Sequence, residues 1–79
     1  MLNSKKRTAI CSEVAKILKA EREKRHLSMT TVAAKAGLSQ QMVSYVERGM
    51  RNPTLEALLR ITGALDIDLA KVIDRALKK

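Results

Sequence analysis

The stretch Met29–Gly49, MTTVAAKAGLSQQMVSYVERG, reads as two short helices joined by a tight turn. Ser28 is a good N-cap, because its hydroxyl can accept one of the backbone N–H groups left unpaired in a first helical turn. The helix behind it runs from about Met29 to Ala36, and Gly37 suits the left-handed conformation that closes such a helix. Ser39 repeats the cap, and a second short helix runs to about Arg48, with Gly49 as its stop.

Outward from this pair the helical pattern continues in both directions. On the amino side Ile10, Val14, Ile17 and Leu18 recur at helical spacing, while Glu13, Lys16, Lys19 and Glu23 fall on the other side. That predicts an amphipathic first helix ending near His26. On the carboxyl side Arg51, Asn52 and Pro53 form a loop, and Thr54 caps a fourth helix with Leu55, Leu58, Leu59, Ile61 and Leu65. Gly63 inside that helix costs about 1 kcal/mol relative to alanine. Asp68 caps a fifth helix, Leu69 to Leu77. The expected fold is all-α, with five helices and no strands. A basic segment, residues 1–9, precedes one domain over residues 10–77.

Composition agrees. A chain of 79 residues is one small domain without the volume for a deep substrate cleft beside a core. Hydrophobic residues make up 46% and aromatics 1%, so the core must be aliphatic, a mixture that favours helices. The net charge of +8 and a pI near 10.2 call for a polyanionic partner. Nucleic acid fits first, with an anionic membrane surface or an acidic protein as alternatives. The single cysteine, Cys11, can make no internal disulfide and reads as a small, partly buried hydrophobe. No apolar run approaches a signal-peptide core or a membrane span: Lys5, Lys6 and Arg7 are followed by Thr8, Ser12, Glu13 and Lys16. A cytoplasmic location is expected, and no membrane partner.

On a helical wheel of the third helix, Val43 and Val46 mark the buried side. The opposite side carries Gln41, Ser44 and Arg48, with Gln40 and Tyr45 on its flanks, and no acid. An ordinary solvated face mixes Glu with Lys. This face instead offers what base edges in a major groove require, since an amide can donate to and accept from adenine at once, and arginine can grip guanine. The plainer reading is that glutamine is a good helix former exposed to water.

The run from Met29 to Arg48 resembles the helix-turn-helix of the Cro and phage repressor family, also called the XRE family. The resemblance rests on Ala33 where the two helices cross, on Gly37 in the turn, and on apolar residues at Val32, Ala36, Leu38, Val43 and Val46. It extends through LLRITGALDID, Leu58 to Asp68, and covers roughly residues 10 to 77. It implies a compact five-helix bundle of the lambda-repressor-like DNA-binding type. By position it places Gln40, Gln41, Ser44 and Tyr45 on the groove-facing side of the recognition helix, with Arg48 at its end. Ser39, Arg51 and Asn52, with the backbone N–H groups opening the second helix, fall where family members touch phosphates. Many members have glutamine at the position of Met29, bridging a phosphate and the recognition helix, and methionine cannot make that bridge. The family also pairs a glutamate at the position of Glu47 with an arginine at the position of Arg22, implying a structural ion pair.

Catalysis has little support. One His, one Cys and eight scattered acids give no triad, metal-ligand spacing or phosphate loop, and His26 reads as a solvated or C-capping side chain. No enzyme activity, cofactor, metal or small-molecule ligand is expected. In the fifth helix Leu69, Ala70, Val72, Ile73, Ala76 and Leu77 span an apolar arc of roughly 160°, wider than the roughly 100° stripe of a surface helix. Leu69, Val72, Ile73, Ala76 and Leu77 therefore form a candidate dimer interface, unless the small core uses the whole arc. The function expected is a homodimeric regulator of transcription on double-stranded DNA, reading a pseudo-palindromic operator with its third helix. Repression needs only binding and is preferred to activation. A protein-bridging module of the same fold and the DNA-binding antitoxin of a toxin pair are the alternatives.

Overall fold

The computed structural model describes residues 3–50 and 52–78. Five helices follow one another: α1 (Ser4–Lys24), α2 (Met29–Ala36), α3 (Gln40–Glu47), α4 (Leu55–Leu65) and α5 (Leu69–Leu77). Among the described residues there is no strand.

Each helix starts on a side-chain cap. Asn3, Ser28, Ser39, Thr54 and Asp68 accept hydrogen bonds of 2.8–3.0 Å from the backbone N–H of Lys6, Thr31, Met42, Ala57 and Ala70. Such a bond is worth about 1 kcal/mol. Asn3 explains the main difference from the sequence reading: α1 begins at Ser4, inside the basic segment, two turns before the first apolar residue of the pattern. Residues 3 to 9 are all exposed, so the cap starts a stretch that periodicity cannot reveal.

The first four helices end alike. His26, Gly37, Gly49 and Asp66 have φ of 56°, 70°, 66° and 58°. In each case the residue after the left-handed one donates back five residues, as Leu27 does to Arg22 and Leu38 to Ala33. Glycine takes this conformation freely. His26 and Asp66 hold it against the clash of Cβ with the backbone.

The largest fully buried side chains come one from each helix: Leu18, Val32, Val43, Leu65 and Val72. Burying such a side chain contributes about 1.5–3 kcal/mol. Helix α1 packs against α5 and α3, and α2 against α3 and α4. Cys11 is exposed rather than partly buried, because it lies in the early turns of α1. It lines a recess between those turns and the α3–α4 connection.

Helix α5 divides its apolar arc. Leu69, Val72 and Ala76 are buried in the domain's own core, so three of the five residues expected at a dimer interface are already occupied. Ile73 and Leu77 remain exposed, together with Leu55 and Leu59 of α4. Leu59, Ile67, Ala70 and Ile73 line a shallow groove between the two helices.

A buried carboxylate ties α5 to α1. Glu21 accepts from Arg25 on its own helix and, at 3.0 Å, from Arg75 of α5. These two bonds hold its carboxyl below the ordinary value of 4.5, against the opposing effect of burial. The stabilisation is therefore present at neutral pH and is lost as pH falls below 4.5 and through the lowered folded value. Glu21→Gln is expected to lower Tm at pH 7 and to flatten the acid side of the Tm–pH curve. Parallel curves for the two proteins would refute this role. His26→Gly is expected to stabilise by about 1 kcal/mol, raising Tm by about 4–8 °C in thermal melts.

Candidate nucleic-acid interface

Helix α3 is held from behind. Its Val43 and Val46 are buried against the core, Ala33 of α2 is buried where α2 and α3 meet, and Leu38 packs half-buried in the turn between them. The small side chain of Ala33 lets the two backbones come close. Gly37 is favoured for its left-handed φ, and a Cβ there would lie 3.0 Å from Nη1 of Arg60, whose flexible end would have to shift by a few tenths of an ångström. That nitrogen donates to the Ala36 carbonyl at 3.2 Å, so α4 helps to close the end of α2.

The rear of α3 is fixed by an ion pair. Arg22 donates through Nε and Nη2 to the two carboxylate oxygens of Glu47, at 2.7 and 3.1 Å, and through Nη1 to the Leu27 carbonyl at 2.7 Å. The side chains are 12% and 6% exposed, so this is a half-buried, two-pronged pair rather than a fully solvated contact. The hydrogen bonds to Glu47 hold the Arg22 guanidinium above its ordinary value.

The other side of α3 is open. Gln40, Gln41 and Arg48 are exposed, Ser44 and Tyr45 half-buried. Ser39 is exposed and spends an acceptor position on Met42 N–H, which leaves its O–H able to donate outward. Asn52 is exposed beyond the end of α3, whereas Arg51 lies outside the described residues. Met29 is half-buried against the core and supplies no polar atom to this side.

Two contacts on this face escaped sequence reading. The Gln41 amide donates through Nε2 to the Tyr45 hydroxyl at 2.7 Å, and the Arg48 guanidinium stands 5.7 Å from the Tyr45 ring centroid. The spacings of four and three residues were a usable signal, since side chains so placed are neighbours on a helix.

Charge follows the same division. From Lys24 to Leu55 the one acid is Glu47, and its carboxylate is engaged by Arg22. The same stretch carries Lys24, Arg25, Lys35, Arg48 and Arg51. Among the described residues no group of three or more His, Cys, Asp or Glu could hold a metal ion, and no helix is long and apolar enough to cross a membrane.

Comparison with known proteins agrees with this geometry. Residues 18–72 match the model of the helix-turn-helix family. An uncharacterized HTH-type transcriptional regulator of Mycobacterium tuberculosis is 36% identical over 59 residues, which are 75% of this chain and 42% of that protein. The immunity repressor protein of Bacillus phage phi105 is 35% identical over 60 residues, 76% of this chain and 42% of the repressor. The chain thus spans less than half the length of these relatives. The restriction-modification controller protein C.AhdI from Aeromonas hydrophila superposes with a TM-score of 0.74 at 33% identity, covering 80% of this chain and 94% of the controller. In sequence and in the arrangement of its five helices, the chain belongs to the helix-turn-helix family of the Cro and phage-repressor type.

Proposed function

We propose that the protein is a cytoplasmic regulator of transcription that binds double-stranded DNA as a homodimer, with α3 in the major groove of each half-site. The observation that carries the reading is the acid-free outer face of α3, where Gln40, Gln41, Ser44, Tyr45 and Arg48 offer donors and acceptors in place of mixed charges. Gln40 and Gln41 open the helix, the end that enters a groove in this type of docking. Ser39 and Asn52 flank the face and, with Arg51 and the first N–H groups of α2, serve as phosphate contacts.

Dimerisation is assigned to the apolar surface left outside the core, Ile73 and Leu77 of α5 with Leu55 and Leu59 of α4. A two-fold pair joined there carries two copies of α3, which fit a pseudo-palindromic operator with half-site centres about 10 bp apart. Repression is the favoured outcome: an occupied promoter is blocked without further contacts, and one relative is a phage immunity repressor.

Binding titrations on a selected operator and on random duplex, each over a range of salt, test the reading. Log K should fall with log salt at a slope of about −0.9 per phosphate neutralised. Gln41→Ala should cost about 1–3 kcal/mol on the operator and much less on random DNA. A salt-independent affinity, or equal losses on both duplexes, contradicts the proposal. For assembly, Ile73→Asp should shift sedimentation from dimer to monomer and weaken operator binding. A wild type that sediments as a monomer well above its operator-saturating concentration would overturn the dimer.

A further inference from the structure

We infer that Tyr45 is a positioning residue that makes Gln41 a reader of adenine rather than guanine. This rests on the reading of α3 as a groove-reading helix. The chain has a single aromatic residue, and it stands half-buried on this face instead of in the core. Its hydroxyl accepts from Nε2 of Gln41 at 2.7 Å, and its ring is overlaid by Arg48 at 5.7 Å. Such a cation–ring contact keeps the ring from swinging away.

The selectivity follows from counting hydrogens. A glutamine amide has two N–H donors and one carbonyl acceptor. With one N–H committed to Tyr45, the amide presents one donor beside one acceptor. Adenine offers the complementary pair in the major groove, N7 as acceptor and N6–H as donor. Guanine offers two acceptors, N7 and O6, and a tethered Gln41 would set its own carbonyl oxygen against one of them. An untethered glutamine can turn both N–H groups toward guanine, so the hydroxyl of Tyr45 removes an option as well as holding a geometry. The brace comes from within α3, one turn along.

The test uses duplexes that differ only at the base pair whose identity ceases to matter in Gln41→Ala, carrying A·T, G·C, T·A or C·G there. Wild type should prefer adenine over guanine by about tenfold or more. Tyr45→Phe keeps the ring over Arg48 but loses the hydroxyl. It should narrow that ratio severalfold, well beyond any loss of affinity for random DNA. In a Gln41→Ala background the same substitution should not change the ratio further. A wild-type preference for guanine overturns the inference. So does a Tyr45→Phe ratio equal to wild type when Gln41→Ala has abolished the preference, and in that case the groove-reading role of α3 stands. If Gln41→Ala leaves preference intact at every base pair, the base-reading role of Gln41 falls and this inference falls with it.

Discussion

Arg22 holds three parts of the molecule at once: its own helix α1, the carbonyl of Leu27 in the α1–α2 connection, and the carboxylate of Glu47 at the end of α3. Helix α3 has only two buried anchors, Val43 and Val46, and a helix of eight residues has little stability of its own. The ion pair supplies a third point of attachment. Removing one partner of a fully buried pair costs about 3–5 kcal/mol, and a half-buried pair less, still a sizeable part of the roughly 5–15 kcal/mol that keeps a small domain folded. The same pair takes the one carboxylate of α3 away from the face proposed to meet DNA. A single interaction thus sets both the position and the charge of the helix.

The outer face of α3 inherits its order from that anchoring. With the rear fixed, side chains on the open side need only short-range partners to be held. Gln41, Tyr45 and Arg48 provide them for one another along one edge of the helix. The proposed base reading depends on where an amide points, and a face organised before DNA arrives leaves less freedom to be lost on binding. The domain's own rigidity comes from elsewhere: five side-chain caps, four left-handed helix closures and a core with one fully buried aliphatic side chain from each helix.

Most of the helix boundaries could be read from residues alone, because caps and stops are local. Ser28, Ser39, Thr54 and Asp68 announce starts by their chemistry, and Gly37 and Gly49 announce ends. Asn3 announces one too, but no apolar pattern follows it for two turns, so α1 looked shorter than it is. His26 and Asp66 conceal their left-handed turns because neither is glycine. The site was legible where it depends on helix phase, which put Val43 and Val46 inside and Gln41 outside. It was illegible where it depends on neighbours across space: the division of α5 between core and surface is decided by its packing on α1, and the exposure of Leu55 and Leu59 by what fails to cover α4. How deeply Arg22 and Glu47 are enclosed could not be read from a spacing of 25 residues.

The central claim is that α3 enters the major groove at two sites on one side of the duplex. Dimethyl sulfate footprinting on the selected operator tests it most directly, because the reagent methylates guanine N7 in the major groove and adenine N3 in the minor groove. The account predicts protected N7 positions in two clusters about one helical turn apart, with minor-groove N3 positions between them unprotected. Protection confined to N3, or a single N7 cluster, would contradict it.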